Sequence, residues 1–585
     1  MNITALGLLL VSLVPQSHRV KASPFDAIRW SEGQPQVQIG ADWYTPVAID
    51  GIAVEKILAF IDRRWRGQRT KRFAEDLVEV MVGLSWKGDL KVDLDLRSLK
   101  DASASRLEGV EMTGAKRRTL WKANQSSGAR AVPRRPSAPR RISVADARAD
   151  IAAFGAGLRD QFAYLGLGEV DLERELKQIR DGLTGSRVDA VSLNRDLHQL
   201  LMRFGDGHAA VRGPLTMSQP GDTFLPFLLV ESAAGVVAVL PDRSALVNPR
   251  APVVRSIDGR SIEAWIAAVR PYIARGSPQL VRRRALGDMR AIDLGRRELK
   301  LKTGRPLKLK FARADGSGVV EREIKTSSRR PVYGSWPRSV SKTLEGGIGY
   351  LRIAKMDGKV AALRTAMKEF VGTKGLVVDV RGNGGGTREL LLALGGYLIG
   401  PKEPAVVGNI AQYRLSRRFD SGHLEARYMY RADWGGWNDR QRAAIAAAKG
   451  AFKPEWQPVG EFSAWHYLVL DRTGHSAEYF YQHPVVVLSD SGCFSATDIF
   501  LGALELLPRV TLLGTASSGG SARTQSFRLP KSGMEVRCAS MASFRPDGRL
   551  YDGRGIEVDV EVLPAPGDFL IGGGDAQLKA ALKRF

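Results

Sequence analysis

The chain has 585 residues, of which 44% are hydrophobic and two are cysteines. This length suggests about four structural units, and the hydrophobic content supports cores of normal size rather than wholesale disorder. Two cysteines exclude a disulfide-built scaffold and a multi-cysteine zinc module, and whether Cys493 and Cys538 pair stays open. The formal net charge of +25 raises the hypothesis of a nucleic acid or an anionic surface as partner.

The first residues have the pattern of a targeting segment. An apolar run over 5–15 is too short to span a bilayer, and Val20-Lys21-Ala22 has apolar or small residues at the −3 and −1 positions of a cleavage site. The absence of Lys and Arg ahead of the apolar run leaves a buried N-terminal strand as the alternative. We predict a secretory signal over 1–22 and an exported protein, periplasmic or extracellular, without a membrane span.

Residues 23–110 predict an accessory α/β unit, with a strand around Val37 and Ile39 and helices over 54–60 and 73–82. The segment that follows is rich in basic residues.

The stretch 112–141 has nine basic residues, no acidic one and three prolines. We interpret 111–142 as a solvated basic linker, because charge blocks interleaved with proline rarely pack. A polyanion-binding strip is the alternative reading of 112–141, and no other nucleic-acid partner is expected.

Two units are predicted before the last third of the chain. Residues 143–212 follow a helical period and end at the turn Gly205-Asp206-Gly207-His208. Residues 213–335 change to short β-prone runs. Within them, Ser256-Ile257-Asp258-Gly259 precedes a helix start, and 48–57 has the same form. Each of these two segments fits a small peptide-binding β-module or an ordinary strand–turn–helix. The similarity between them is too short to establish a solenoid.

Residues 336–585 alternate between strand and helix. The predicted elements are strands over 348–353, 375–380, 484–488 and 510–513 and helices over 360–370, 388–398 and 496–507. Repeated strand–helix units imply a mainly parallel sheet covered on both faces. In such sheets, sites lie where strands end and helices begin.

Two of these junctions have unusual sequences. The first, 380–387, has glycine at four of five consecutive positions, which lets backbone approach a ligand, and it lacks nucleotide-binding spacings. The second, 489–498, places Ser491 and Ser495 near a helix start. Each serine suits a helix cap and equally suits a hydroxyl presented to a cleft beside helix amides.

Together these segments resemble the C-terminal-processing (tail-specific) serine peptidases and the core of the tricorn protease. The motifs that carry the resemblance are 205–208, 375–386 with its Asp-x-Arg-x-Asn-x-Gly-Gly pattern, 494–500, 513–519 and 551–559. The resemblance spans residues 144–565. It implies an α/β multidomain protein with a crotonase-like ββα-spiral core over 336–585, a PDZ-like module over 213–335, and peptide or protein substrates.

The sequence departs from one branch of this family. Where that branch has a lysine base, this chain has Gly520, and the nearby Arg523 cannot act as a base because its guanidinium stays protonated. A Ser/Lys dyad is therefore not expected. The tricorn-like branch uses a histidine and an acidic residue, and these positions match His208 and Asp552, with Asp in place of the usual Glu.

The resemblance implies a serine endopeptidase with three catalytic residues. We expect Ser495 as nucleophile, His208 as general base and Asp552 as the carboxylate that orients it. The predicted supporting residues are Ala496, Gly384 and Gly385 for the oxyanion hole and Asp498 for orientation.

Several alternatives stay open. His208 could simply bond to Asp206, and Asp552 could stabilise a turn. No cofactor or metal is expected, because the remaining histidines lack metal-binding spacing. A non-catalytic relative that binds peptides or apolar ligands is the alternative function, and the sequence leaves the oligomeric state undetermined.

Overall fold

A computed structural model describes residues 22–31, 33–64, 68–86, 88–126, 141–213, 221–333, 336–337, 339–416, 422–472 and 478–585. The chain divides into two compact units, 1–135 and 136–585. The predicted signal, apart from Ala22, and linker residues 127–140 lie outside the described residues. Within the described ranges, none of the helices combines the length and apolar character needed to cross a membrane.

The first unit is an antiparallel sheet packed against helices. Its elements are β1 (Ala27–Ser31), β2 (Gln34–Ile39), β3 (Asp42–Ile49), β4 (Ile52–Ala53), α1 (Val54–Arg64), α2 (Arg69–Glu75), α3 (Leu77–Gly83), β5 (Lys91–Ser98), β6 (Ala104–Glu111) and α4 (Gly114–Ser126). The strand order is β1-β2-β3-β5-β6, with β4 beside β3. Helix α4 occupies the first part of the segment interpreted as a linker, so that part is ordered structure.

The second unit begins with a helical segment. Its elements are β7 (Arg141–Ser143), α5 (Val144–Gln161), α6 (Leu172–Asp181), β8 (Arg187–Asp189), α7 (Ala190–Met202) and β9 (Ala210–Arg212). Helix α5 starts where predicted because the Ser143 hydroxyl accepts a hydrogen bond from the Asp146 amide. The turn carrying His208 lies between α7 and β9.

A second antiparallel module follows. Its elements are β10 (Leu228–Ser232), β11 (Gly235–Val239), β12 (Val253–Ile257), β13 (Arg260–Ser261), α8 (Ile262–Val269), the 3₁₀ turn Arg270–Tyr272, α9 (Pro278–Asp288), α10 (Ile292–Glu298), β14 (Leu307–Ala312) and β15 (Val320–Ile324).

The strand order β10-β11-β12-β14-β15, with β13 beside β12, repeats that of the first unit. The two segments of similar sequence lie at equivalent Asp-Gly turns, where Asp50 and Asp258 have φ of 45° and 48°. Each sheet also has a short bridge between the residues before its first strand and after its last, Ser23↔Thr113 and Phe224↔Ser327.

The last part contains the predicted α/β core. Its elements are β16 (Lys342–Leu344), β17 (Ile348–Arg352), α11 (Val360–Glu369), β18 (Gly375–Asp379), α12 (Glu389–Leu398), β19 (Val406–Tyr413), the 3₁₀ turn Glu425–Arg427, β20 (Tyr430–Arg431), α13 (Asp439–Ala451), β21 (His466–Leu470), β22 (Val485–Ser489), α14 (Ala496–Leu504), β23 (Val510–Gly514), β24 (Thr524–Arg528), β25 (Glu535–Ala539), β26 (Met541–Phe544), β27 (Val560–Glu561), the 3₁₀ turn Pro566–Phe569 and α15 (Ala576–Leu582).

The central sheet has the order β16-β17-β18-β22-β23-β27. Every pairing in it is parallel except that of β16 with β17. Strands β18 and β22 are wholly buried, as expected for strands covered on both faces. The mixed α/β fold class with a mainly parallel core sheet is thus confirmed.

Two smaller antiparallel sheets complete the core, β20-β21-β19-β26 and β24-β25-β9. In the second, β9 of the helical segment pairs with β25 through Val211↔Val536. This pairing carries the His208 turn to the carboxyl end of the central strands.

Both cysteines are buried free thiols. The question of their pairing is therefore answered: Cys493 and Cys538 are unpaired. The Cys493 thiol donates to the Val380 carbonyl at 3.1 Å and so ties the two junctions of the core together.

Candidate active site

Ser495 lies between β22 and α14 with an unusual backbone. Its φ of 65° and ψ of −121° place it in a region that residues other than glycine rarely adopt. Its hydroxyl makes no capping bond to the helix. Instead, Ser495 Oγ lies 3.0 Å from His208 Nε2. The structure therefore brings these two predicted residues together and excludes the capping role for Ser495.

The glycine loop after β18 packs directly against the serine. Gly385 has a φ of 102°, and a Cβ on it would lie 2.7 Å from Ser495 Cβ and 3.0 Å from the Ala496 nitrogen. Only glycine fits this approach. The Phe494 amide also donates to the Asn383 carbonyl at 3.1 Å, so the two junctions form one rigid site.

His208 is held by its own turn. Asp206 Oδ1 accepts a bond from the His208 amide at 2.8 Å, and Asp206 Oδ2 accepts one from the Ala539 amide at 2.7 Å. The imidazole stacks on the Phe494 ring with centroids 4.5 Å apart. The alternative interpretation, in which His208 only bonds to Asp206, explains the hydrogen bond of the His208 amide. It does not explain the contact of the His208 ring with Ser495.

The Nδ1 side of His208 faces two carboxylates without bonding to either. Among the described residues, His208 Nδ1 and Asp552 Oδ1 are buried and have no hydrogen-bond partner. Nδ1 lies 3.9 Å from Asp206 Oδ1, and an oxygen of Asp552 lies within 4.8 Å of the imidazole.

Asp552 is anchored elsewhere. Its Oδ2 accepts hydrogen bonds from the Tyr164 hydroxyl at 2.6 Å and the Ser521 hydroxyl at 2.9 Å. The predicted direct bond from Asp552 to His208 is therefore not present. Sequence reasoning did not assign Asp206, Tyr164 or Ser521 to the site, although Asp206 lies in the same turn motif as His208.

Burial and charge both act on the ionisable groups. Burial, with Arg537, Arg284 and Arg427 nearby, lowers the pKa of His208 to about 3. Burial and repulsion from Asp552 raise the pKa of Asp206 to about 7, and burial raises that of Asp552. The imidazole is consequently neutral in the free protein and can accept a proton.

Asp498 does not contact Ser495 or His208. Its Oδ1 accepts from the Ser517 hydroxyl at 2.5 Å and from the Gly519 amide at 3.0 Å, and its Oδ2 accepts from the Gly520 amide at 3.1 Å. Burial raises the pKa of Asp498 to about 8. Its role is to shape the loop that contains Gly520, because a side chain one helical turn after Ser495 points into the core rather than towards the hydroxyl.

The predicted oxyanion hole consists of the Ala496 amide and one amide from Gly384-Gly385. The Ala496 and Gly384 N–H groups have no protein acceptor in the part of the chain that the structure describes. The Gly385 amide differs, because it donates to Asn383 Oδ1 at 3.0 Å. That bond removes Gly385 from the set of free donors and leaves it a steric role beside Ser495.

The Asp-x-Arg part of the first motif is structural. Arg381 bonds to buried Asp379 through Nε and Nη2, at 3.0 and 2.7 Å, and also holds Asp575. This charge network, in which the pKa of Asp379 is lowered mainly by Arg381 against the effect of burial, fixes the end of β18. The glycine loop follows directly.

One group among the described residues has the spacing of a metal site, formed by Asp206, His208 and Asp552. A cation there would bind a ring nitrogen of His208, and proton transfer uses the same ring, with Nε2 facing Ser495 and Nδ1 facing the carboxylates. The same ring therefore serves either a metal or proton transfer. No other described group offers a comparable ligand set.

The comparisons with known proteins concern the family and the fold. Residues 347–562 match the model of Peptidase family S41. Mature CPAF complexed with lactacystin has 16% identity and a TM-score of 0.50, with 73% of this chain and 95% of that chain covered. A CPAF mutant has a TM-score of 0.53 at 16% identity, with 73% and 94% covered.

A putative peptidase from Parabacteroides merdae ATCC 43184 aligns over 76% of this chain and 96% of that chain, with 16% identity and a TM-score of 0.42. No curated protein matches the sequence significantly. At such identities the two CPAF structures indicate a shared fold, while the family match concerns the sequence itself.

The fold and the family match together define the class of protein, an α/β serine-type hydrolase. Residues 347–562 are similar to peptidase family S41, and the chain is a serine-type peptidase.

Proposed function

We propose that the chain is an endopeptidase in which Ser495 attacks the peptide carbonyl and His208 acts as general base. The observation that carries this proposal is the 3.0 Å contact between Ser495 Oγ and His208 Nε2. A serine hydroxyl is a poor nucleophile until a base removes its proton, and a neutral imidazole at hydrogen-bond distance meets that need.

In the acylation step, the Ser495 proton moves to His208 Nε2 while Oγ bonds to the carbonyl carbon. The resulting oxyanion accepts hydrogen bonds from the free Ala496 and Gly384 amides, with the positive end of α14 behind them. When the tetrahedral intermediate collapses, the C–N bond breaks and His208 gives its proton to the leaving amine. Water then attacks the ester by the same route, and Ser495 regains its proton.

The imidazolium formed during the reaction needs a negative partner, because burial and three arginines oppose it. Asp552 and Asp206 are the available carboxylates. We assign the orienting role to Asp552, because its Oδ1 is buried without a partner, as is His208 Nδ1. A movement that brings these two atoms together would satisfy both, whereas both oxygens of Asp206 already accept backbone bonds.

Export and substrate capture complete the proposal. The predicted signal over 1–22 would deliver the enzyme to the periplasm or the outside of the cell. The β10–β15 module resembles a PDZ domain by family analogy, and edge strand β10 is suited to adding an extended peptide.

A fluorophosphonate probe tests the nucleophile directly. We expect the wild-type protein to become labelled at Ser495 and to hydrolyse an unstructured protein such as casein, and we expect Ser495→Ala to do neither. Ser540→Ala is the matched control, since Ser540 is also a serine bonded to a histidine. Labelling of Ser495→Ala at the wild-type rate, or peptide binding by a wild-type protein that is never labelled, would overturn the proposal in favour of a binding protein.

A further inference from the structure

We propose that this peptidase selects substrates that present a carboxylate beside the scissile bond, and that Arg284 is the main residue binding it. The inference rests on the proposed roles of Ser495 and His208. It starts from three arginines, Arg284, Arg427 and Arg537, which surround the imidazole.

The three arginines come from separate elements. Arg284 lies on α9, Arg427 ends the 3₁₀ turn Glu425–Arg427, and Arg537 lies on β25. Arg537 is opposite Ala210, two residues from His208, and Arg427 donates to the Gly386 carbonyl of the glycine loop at 3.1 Å. Positive charge therefore reaches the site from three directions.

None of these guanidinium groups has an ion-pair partner among the described residues. Arg284 interacts with Asp288 and Asp206 only at longer range, and Arg537 does so with Asp206 and Glu535. Burial lowers the pKa of each guanidinium. A desolvated cation without a partner is costly, and a bound anion recovers that cost.

Arg284 is the best placed of the three. Its guanidinium carbon lies 5.0 Å from the centroid of the Phe494 ring, and the other partner of that ring is the His208 imidazole. Arg284 also lines a cavity of about 640 Å³ that extends between α9, β10 and the second junction. The cavity is also lined by Asp490 and Ser491 of the second junction, a few residues before Ser495, so a peptide bound in it would lie beside Arg284.

Two other arginines in the same cavity, Arg282 and Arg381, are already neutralised. Arg282 bonds to Glu231 and Glu263, and Arg381 holds Asp379 and Asp575. Carboxylates of the protein itself thus neutralise the positive charges of Arg282 and Arg381. Arg284 lies on the same helix as Arg282 but has no carboxylate of its own at ion-pair distance.

A substrate carboxylate would also help the chemistry. The charged and titratable groups that act on His208 are Asp206, Asp552, Arg284, Arg427 and Arg537. An anion beside Arg284 would offset part of the positive field and so favour the imidazolium formed during proton transfer. Acidic substrates would then gain in kcat as well as in affinity.

The test uses internally quenched, alanine-rich peptides in which one Glu is moved along the sequence, and a matched set with Gln. Each is made with a free C-terminal acid and with a C-terminal amide, which separates a side-chain carboxylate from a chain-end carboxylate. We expect kcat/KM to be about tenfold higher for the best Glu peptide than for its Gln match, the size of one charge-assisted contact.

Arg284→Glu is the decisive variant. It should lose the preference for Glu and prefer Lys at the same position, a reversal that misfolding cannot produce. Arg250→Gln, an exposed arginine, is the control and should keep the wild-type preference. A preference only for free-acid peptides would support carboxylate binding with the chain end as its source.

Affinity measured with Ser495→Ala separates this inference from the catalytic proposal, because it needs no hydrolysis. Tighter binding of Glu peptides by that variant would support the inference even if the wild type proved inactive. Equal affinity for Glu, Gln, acid and amide peptides would overturn it, even if Ser495-dependent hydrolysis were observed.

Discussion

The second unit contains two serine–histidine pairs with different surroundings. Ser540 Oγ lies 2.9 Å from His423 Nε2, a distance close to that of the Ser495–His208 pair. Ser540 is fully buried, and its hydroxyl donates to the Arg523 carbonyl at 2.9 Å. In the hydrogen bond between His423 and Ser540, the imidazole N–H must therefore be the donor and Ser540 Oγ the acceptor.

Ser495 has the opposite arrangement. It is partly exposed, its backbone is strained, free amides lie beside it, and its hydroxyl has no partner among the described residues other than His208. Distance alone thus does not identify a nucleophile. What matters is where the hydroxyl proton goes and whether a substrate carbonyl can reach the oxygen.

Removal of each hydroxyl is the clearest test of the difference between the two serine–histidine pairs. We expect Ser495→Ala to lower kcat/KM by about 10⁴-fold or more, whereas Ser540→Ala keeps activity and loses about 1 kcal/mol of unfolding free energy with its hydrogen bonds. Peptide hydrolysis and denaturant titration measure the two effects. Comparable loss of activity in both folded variants would mean that Ser495 has no special role.

Replacing each histidine is the next test. His208→Gln removes the proposed base and should lower kcat/KM by about 10³-fold or more. His423→Gln should change kcat/KM little. Hydrolysis by His208→Gln at near wild-type rate would assign the base elsewhere.

The carboxylates behind His208 give a smaller effect. Asp552→Asn should lower kcat by about 10²-fold, because the imidazole loses its orienting anion while binding is retained. The variant should still be labelled, slowly, by the fluorophosphonate. If Asp206→Asn caused the loss and Asp552→Asn did not, the orienting role would pass to Asp206.

The pH profile tests the arginines around the active pair. Because the pKa of His208 is lowered to about 3, the acid limb of kcat/KM due to this residue should lie well below pH 6. Arg537→Gln removes a positive charge, so it should raise the pKa of His208 and move that limb to higher pH, by up to about one unit. The pKa of Asp206 is about 7, so the same profile in Asp206→Asn separates the two groups. An unmoved limb in Arg537→Gln would contradict the assignment.

The buried pair gives the smallest effect, and it concerns stability. Burial, with Arg523, Arg427 and His466, lowers the pKa of His423 to about 3. His423 then binds a proton more strongly in the unfolded chain than in the folded protein. The contribution of neutral His423 to the unfolding free energy is therefore complete above about pH 6.5 and falls as the pH drops. Between pH 7 and 5, His423→Gln should lose about 2 kcal/mol less unfolding free energy than the wild type. Equal losses in denaturant titrations would show that His423 is protonated when folded.

The sequence predicted the elements that follow simple hydrophobic periods. Strand β18, helix α14 and the turn of His208 lie within a few residues of their expected bounds, because buried parallel strands and capped helices have strong local patterns. Helix α4 was missed, since its basic, weakly amphipathic sequence resembles a linker.

Helix α9 was also missed, because a proline start and three consecutive arginines hide its period. Because helix α9 was not predicted, Arg284 was not among the predicted site residues. Within the site, the motifs indicated Ser495, His208 and Asp552, but only coordinates reveal that the Gly385 amide is already bonded and that Asp498 faces the loop. Such details depend on hydrogen-bond partners distant in sequence.

The pairing of β9 with β25 has a consequence for biosynthesis. The ribosome synthesises the segment with the imidazole more than 300 residues before its partner strand, and Asp552 follows that strand. An unfinished chain therefore has no assembled hydrolytic centre. The proposed serine–histidine site therefore becomes competent only once β25 has docked against β9.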